Sequence, residues 1–184
     1  MYRQVSVRRW IFSACHGLLA SCFVTAVAAA AEPEHRQVGL QIVPGTRYKV
    51  YALYEDGKYM NCKASTETRE ALLTFSILQK GSFHVTLNDP YQQRAVSESL
   101  GWKEGNVYSG QVFVEKKMWS VDFEAADPSL FSFKPNKQFV ESLQGAKVMA
   151  IQIGNISMRG GYDIQGFSTI YSYLRSCYRE HGPR

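Results

Sequence analysis

Ser82 and His84 are the residues whose types and spacing come nearest to nucleophilic chemistry. They alternate in the segment SFHVTL, and Asp89 follows shortly after it. A serine hydrolase uses these three residue types, but it also needs a nucleophile elbow or an oxyanion-hole motif. No such motif surrounds Ser82. We therefore interpret His84 as an exposed strand histidine, expect no catalytic residue, and place His35 and His181 in the terminal tails.

Three carboxylates near the middle of the chain are the best candidates for a cation site. Asp122 and Glu124 alternate with apolar residues, which puts both on the polar face of a strand, and Asp127 follows in a proline turn. Calcium takes six to eight oxygen ligands, and the surrounding residues do not supply that density. A solvated strand face beside Lys116–Lys117 is the simpler interpretation. We expect neither a metal nor a cofactor.

Cysteine placement predicts one disulfide bond. Of the four cysteines, Cys15 and Cys22 lie in the apolar N-terminal segment, and Cys62 and Cys177 lie far apart in the rest of the chain. Two cysteines of an exported protein most simply pair with each other. A reactive thiol pair would prefer CxxC-like spacing, and two distant cysteines do not make a zinc site. We therefore predict a structural Cys62–Cys177 bond.

The first 31 residues have the anatomy of a secretory signal peptide. Three arginines precede an apolar run without acidic residues, Trp10–Ala31, which ends in small residues. This order of charged head, apolar core and small-residue end is typical of a cleaved leader. Two alternatives stay open. The segment LASC would leave a lipidated Cys22, and an uncleaved membrane helix would use the whole apolar run. We expect a periplasmic or secreted protein.

Composition after the leader argues for one domain without nucleic-acid binding. Removing residues 1–31 leaves 18 basic and 16 acidic residues, and no basic cluster is denser than Lys116–Lys117. A nucleic-acid-binding protein would carry a basic patch or stripe. About 150 residues correspond to a single domain. We expect an N-terminal tail at 32–46 and one β-rich domain at 47–184.

Alternating apolar and polar residues predict an antiparallel β domain. Short β-branched and aromatic runs are separated by turn residues such as the Asp-Gly of EDGK, which is the pattern of hairpins. The predicted strands pair in sequence order as 47–54 with 59–66, 71–78 with 82–87, and 106–115 with 118–125. The fold class that follows is mainly β, an antiparallel sandwich or a partly closed barrel.

Two helices and two short strands complete the predicted fold. Pro135 and Gly145 bound a short amphipathic helix over 134–146, and apolar strands follow at 147–154 and 162–165. After Gly166, apolar residues recur at spacings of three, four and seven, which predicts an amphipathic C-terminal helix that ends before Gly182-Pro183. Its apolar stripe comprises Phe167, Ile170, Tyr171, Leu174, Cys177 and Tyr178.

The C-terminal third resembles a known protein family. The segments FVESLQGAKVMAIQI (139–153) and IQGFSTIYSYLRSC (164–177) are similar to the end of the invasion-associated locus B type of proteobacterial periplasmic protein. The resemblance implies an envelope-associated protein with a role in host-cell invasion or stress adaptation. It implies no catalysis and no active-site residues.

Tyrosine-rich surfaces are the predicted partner-binding features. Tyr51, Tyr54, Tyr91 and Trp102 lie in or near the predicted hairpins, and exposed aromatic residues suit a protein or envelope macromolecule. We expect a non-enzymatic binding or accessory factor that contacts the membrane only if Cys22 is lipidated. The alternative is a periplasmic hydrolase inhibitor or immunity-type protein that acts through the loop 88–106.

Overall fold

The structure is a computed structural model that describes residues 34–66, 72–88, 101, 103–127, 130–154, 156–157 and 161–184. These residues form eleven strands and two helices. In chain order the elements are β1 (His35–Ile42), β2 (Tyr48–Glu55), β3 (Lys58–Thr66), β4 (Leu72–Leu78), β5 (Phe83–Asn88), β6 (Val107–Val114), β7 (Lys117–Asp127), β8 (Leu130–Phe133), α1 (Lys137–Ser142), β9 (Val148–Ile153), β10 (Ile156–Ser157), β11 (Tyr162–Asp163) and α2 (Phe167–His181).

All eleven strands belong to one antiparallel sheet. The strand order is β1-β2-β3-β4-β5-β8-β7-β6-β9-β10. Both β10 and β11 pair with β9. The hydroxyl of Tyr48 in β2 donates a hydrogen bond to the carbonyl oxygen of Asp163 in β11 at 3.1 Å, which links the two ends of the open sheet. The predicted fold class, mainly β with two helices, is therefore confirmed as one continuous sheet.

Alternation along the strands builds one hydrophobic core. Every second residue is buried in β5 and in the first part of β2, 48–53, so a single face of the sheet points inward. Side chains alternate across a strand, and register therefore decides which residues enter the core. Five phenylalanines are among the largest fully buried side chains: Phe75, Phe123, Phe131, Phe139 and Phe167. The sheet and both helices contribute to this one cluster.

Helix α2 packs on the sheet through the predicted stripe. Phe167, Ile170 and Leu174 are buried, and the Phe167 ring meets Phe75 of β4 edge-on at 5.0 Å between centroids. The Cys62–Cys177 disulfide joins β3 to the helix across a Cα–Cα distance of 6.1 Å. The predicted bond is confirmed, and it suits an oxidising compartment outside the cytoplasm.

Four elements differ from the sequence prediction. The expected tail at 32–46 contains β1, whose side chains are almost all exposed even though Val38, Leu40 and Ile42 alternate along it. β8 and β10 were also missed, because strands of four and two residues carry too few side chains to show alternation. α1 is shorter than expected. Asn136 caps its start by accepting a hydrogen bond from the Phe139 N–H at 2.8 Å.

No helix in the described part of the chain is long and apolar enough to cross a membrane. The predicted signal peptide at 1–31, including Cys22, lies outside the described residues. Both the cleavage and the lipidation therefore stay predictions. Residues 33–184 group into one compact unit.

Candidate functional site

The sheet has a gap where β8 ends. β8 lies between β5 and β7, and its last residue, Phe133, pairs with Val85. β7 pairs with β8 only from Glu124 onward, so within the described chain its first half, 117–123, pairs with β6 alone. β8 ends here because Pro135 has no N–H to donate to a neighbouring strand. The flanking strands continue past this end, and the space that β8 would have filled is left open.

This gap, which we term the β8 cleft, is as wide as one strand. Neighbouring strands lie about 4.8 Å apart, so the two strands that flank β8 are separated by about 10 Å. The β8 cleft has a volume of about 490 Å³, which is within the usual range for ligand pockets. Its wall is apolar, formed by Trp119, Val121, Phe133 and Phe139, and its rim is polar.

The apolar wall is held rigid by aromatic packing. Trp119 and Phe139 meet edge-on at 5.5 Å between centroids, and Phe133 meets Phe139 in the same way at 5.5 Å. The indole Nε1–H of Trp119 is buried and has no acceptor among the described residues. A buried donor without an acceptor costs about 1–3 kcal/mol. The Trp119 indole N–H is therefore an unsatisfied buried donor next to the cleft.

The polar rim carries charges of both signs. Asp122 and Glu124 are exposed on the outer face of β7, as predicted, and the Ser109 hydroxyl donates a hydrogen bond to Asp122 at 3.1 Å. Lys134 follows the end of β8 on the other side of the cleft. The third predicted carboxylate, Asp127, lies at the far end of β7, where it pairs with Leu130. No group of three metal-ligating residues occurs among the described residues.

His84 lies in the cleft, which corrects the prediction of an exposed strand histidine. It is half-buried and lines the rim with Asp122 and Glu124. Burial, with a smaller contribution from the positive charge of Lys134, lowers the pKa of His84, and Glu124 opposes this shift. His84 is therefore a neutral imidazole at neutral pH. The sequence could not place it here, because its neighbours come from two strands that are distant in sequence.

Two members of the Ser-His-Asp set lie together. The hydroxyl of Ser82 is 3.2 Å from Nε2 of His84, within hydrogen-bond distance. Asp89 lies outside the described residues. A nucleophile and a base in contact are two of the three parts that covalent catalysis requires, the third being a group that orients the base. The Ser82–His84 contact supplies the first two parts.

Among the described residues, the predicted partner-binding tyrosines Tyr51 and Tyr54 do not line the β8 cleft. Tyr51 is half-buried and pairs with Lys63 across β2 and β3. Burial lowers the pKa of Lys63. Two more predicted partner-binding residues, Tyr91 and Trp102, lie outside the described residues. Most of the predicted inhibitory loop 88–106 does so too.

Tyr54 belongs to a structural cluster at the end of α2. Its ring packs edge-on against Tyr59 and His181, with centroids 5.9 and 6.3 Å apart, and its hydroxyl lies 3.4 Å from Nδ1 of His181. The side chain of His181 is only 17 % exposed, which corrects its assignment to a fraying terminus. It also lies against Gly39 in the bulge of β1. Tyr54 therefore fastens the helix to the sheet.

No protein-family model, curated protein or solved structure matches the chain. The resemblance to the invasion-associated locus B type stays an expectation. Sequence reasoning identified His84, Asp122 and Glu124 but missed Trp119 and Lys134. The sequence signal for a site was Pro135, two residues after the end of β8, since it ends a strand whose neighbours continue.

Proposed function

We propose that this protein is a non-enzymatic binding or accessory factor of the bacterial envelope that holds a partner in the β8 cleft. The observation that carries the proposal is the cleft itself. An apolar wall and a rim with charges of both signs line about 490 Å³. Pockets that bind ligands combine an apolar surface with a few polar groups in this way.

Three features support an envelope location, in the periplasm or after secretion. The N-terminal segment has the order of a signal peptide. The Cys62–Cys177 bond suits an oxidising compartment. The C-terminal third resembles an envelope-associated family. A role in host interaction or in adaptation to envelope stress follows from that resemblance.

Fluorescence of Trp119 provides the test, because this residue lines the cleft. In a Trp102→Phe background, the purified protein is titrated with defined envelope-type ligands: short peptides, a muropeptide and a neutral oligosaccharide. We expect at least one class to shift the emission saturably, and Trp119→Phe to weaken that binding when it is measured by calorimetry. The proposal fails if no class binds.

A second measurement separates binding from catalysis. Each ligand that binds is recovered after long incubation and analysed by mass spectrometry, with Ser82→Ala and His84→Ala as matched variants. A binding factor returns the ligand unchanged. Conversion of the ligand by the wild type, lost in both variants, would show that the Ser82–His84 contact is catalytic and would overturn the non-enzymatic function.

A further inference from the structure

We infer that the partner held in the β8 cleft is an extended polypeptide segment, which adds to the free edge of β7 as a continuation of β8. This inference rests on the proposed function and names the class of its ligand. Strand addition to an open sheet edge is a common mode of peptide recognition, in which main-chain hydrogen bonds provide affinity and side-chain pockets provide specificity.

The backbone of β7 presents unused hydrogen-bonding groups to the cleft. The N–H of Ala125 donates to the carbonyl of Asn106 on the β6 side. In an antiparallel strand, successive residues direct their backbone groups to opposite neighbours. The backbone N–H and C=O groups of odd-numbered residues in β7 therefore bond to β6. Those of the even-numbered Ser120 and Asp122 point toward the cleft. Within the described chain, neither residue pairs with β8.

The two faces of the cleft specify the side chains of the bound segment. Ser132 of β8 pairs with Thr86 and Glu124, so in this register the position between His84 and Asp122 belongs to the protein's own Lys134. The bound segment therefore starts beside Lys134 and runs along β7 toward Ser120. Side chains alternate along this strand. One set points inward to the apolar wall, and the other points outward to the polar rim.

The charge of the rim selects a basic segment. Asp122 and Glu124 are both carboxylates, and Lys134 is one cation, so acids outnumber bases at the rim when His84 is neutral. A lysine or arginine on the outward face would lie beside these carboxylates, where opposite charges attract. The segment that fits is therefore extended, with apolar residues alternating with basic ones.

Three synthetic peptides test this inference on the full exported protein. The probe is a blocked hexapeptide of alternating lysine and valine. One comparator replaces lysine by glutamate, and the other carries an N-methyl group at every residue, which removes the N–H donors but keeps the side chains. Calorimetry measures each dissociation constant. We expect both comparators to bind about tenfold or more weakly than the probe.

Two protein variants report the same contacts from the other side. Ser120→Pro removes the N–H that faces the cleft, and Ser120→Ala is its matched control, which keeps that N–H. We expect weaker binding of the probe only in Ser120→Pro, whose folding is checked by its melting temperature. Amide hydrogen exchange measures protection of the same backbone groups in the wild-type protein. The Ser120 and Asp122 amides should exchange more slowly when the probe is bound.

The outcomes separate this inference from the proposed function. Equal binding of the N-methylated peptide, or unchanged exchange at both amides, would overturn strand addition while leaving the cleft as a binding site. Binding of the oligosaccharide or muropeptide without binding of any peptide would also overturn strand addition and keep the cleft as a binding site. If no ligand of any class binds, both the inference and the proposed function fall.

Discussion

Removal of the Cys62–Cys177 bond is the perturbation whose effect the structure defines best. The two cysteines are separated by 115 positions in the sequence, and the bond joins β3 to α2. In the chain-entropy account, a cross-link of this span lowers the entropy of the unfolded chain and stabilises the fold by about 4.8 kcal/mol at 25 °C. Folded domains have about 5–15 kcal/mol in total. The bond therefore accounts for a large share of the stability.

The assay is urea unfolding followed by circular dichroism, with the Cys62→Ala/Cys177→Ala variant compared with the oxidised protein. We expect the free energy of unfolding to fall by about 4–5 kcal/mol. The urea dependence of that free energy should become steeper, because the unfolded chain without a cross-link exposes more surface. Wild-type protein treated with a reductant is the control that keeps both sulfur atoms.

The result that would refute this reasoning is specific. A loss below about 1.5 kcal/mol in both the variant and the reduced protein would mean that the unfolded chain is not measurably constrained by the bond. A large loss in the variant with little loss in the reduced protein would instead assign the effect to packing of the buried sulfur atoms.

Three further predictions concern single side chains. Leu174→Ala should lower the free energy of unfolding by about 2–5 kcal/mol, because this side chain is fully buried, whereas the exposed Ser172→Ala on the same helix should change it by less than about 0.5 kcal/mol in a parallel urea titration. Asn136→Ala should cost about 1 kcal/mol by the same measurement, since it removes the acceptor for the Phe139 N–H, and Asn136→Asp, which keeps an acceptor, should restore most of it. Burial raises the pKa of Tyr59 to about 12. The contribution of the neutral Tyr59 hydroxyl to the free energy of unfolding is therefore complete below the ordinary tyrosine pKa near 10 and is lost as pH rises toward 12. Equal loss of stability over that pH range in Tyr59→Phe would contradict this assignment.

The elements that were predicted correctly are those with long, regular patterns. The apolar stripe from Phe167 to Tyr178 identified α2, and the presence of only two cysteines after the leader predicted the Cys62–Cys177 bond. β1 was missed although Val38, Leu40 and Ile42 alternate along it. Nearly all of its side chains are exposed, so its place in the sheet is determined by backbone pairing with β2.

The candidate site was predictable only in part. His84, Asp122 and Glu124 were recognised as titratable residues, but the sequence placed all three on solvated strand faces. Their shared position at a cleft depends on strand order, because β8 is inserted between β5 and the earlier hairpin strand β7. Local sequence patterns do not encode which strands become neighbours.

By itself, the sequence determined the mainly β class, the two helices, the buried face of α2 and the Cys62–Cys177 bond. Each of these follows from the period of apolar residues or from the number of cysteines. Only the tertiary structure decided that the strands form one sheet and that a strand-wide gap opens beside Trp119. Such a gap arises where one strand ends while both of its neighbours continue. It is therefore a property of long-range pairing between residues that are far apart in the chain.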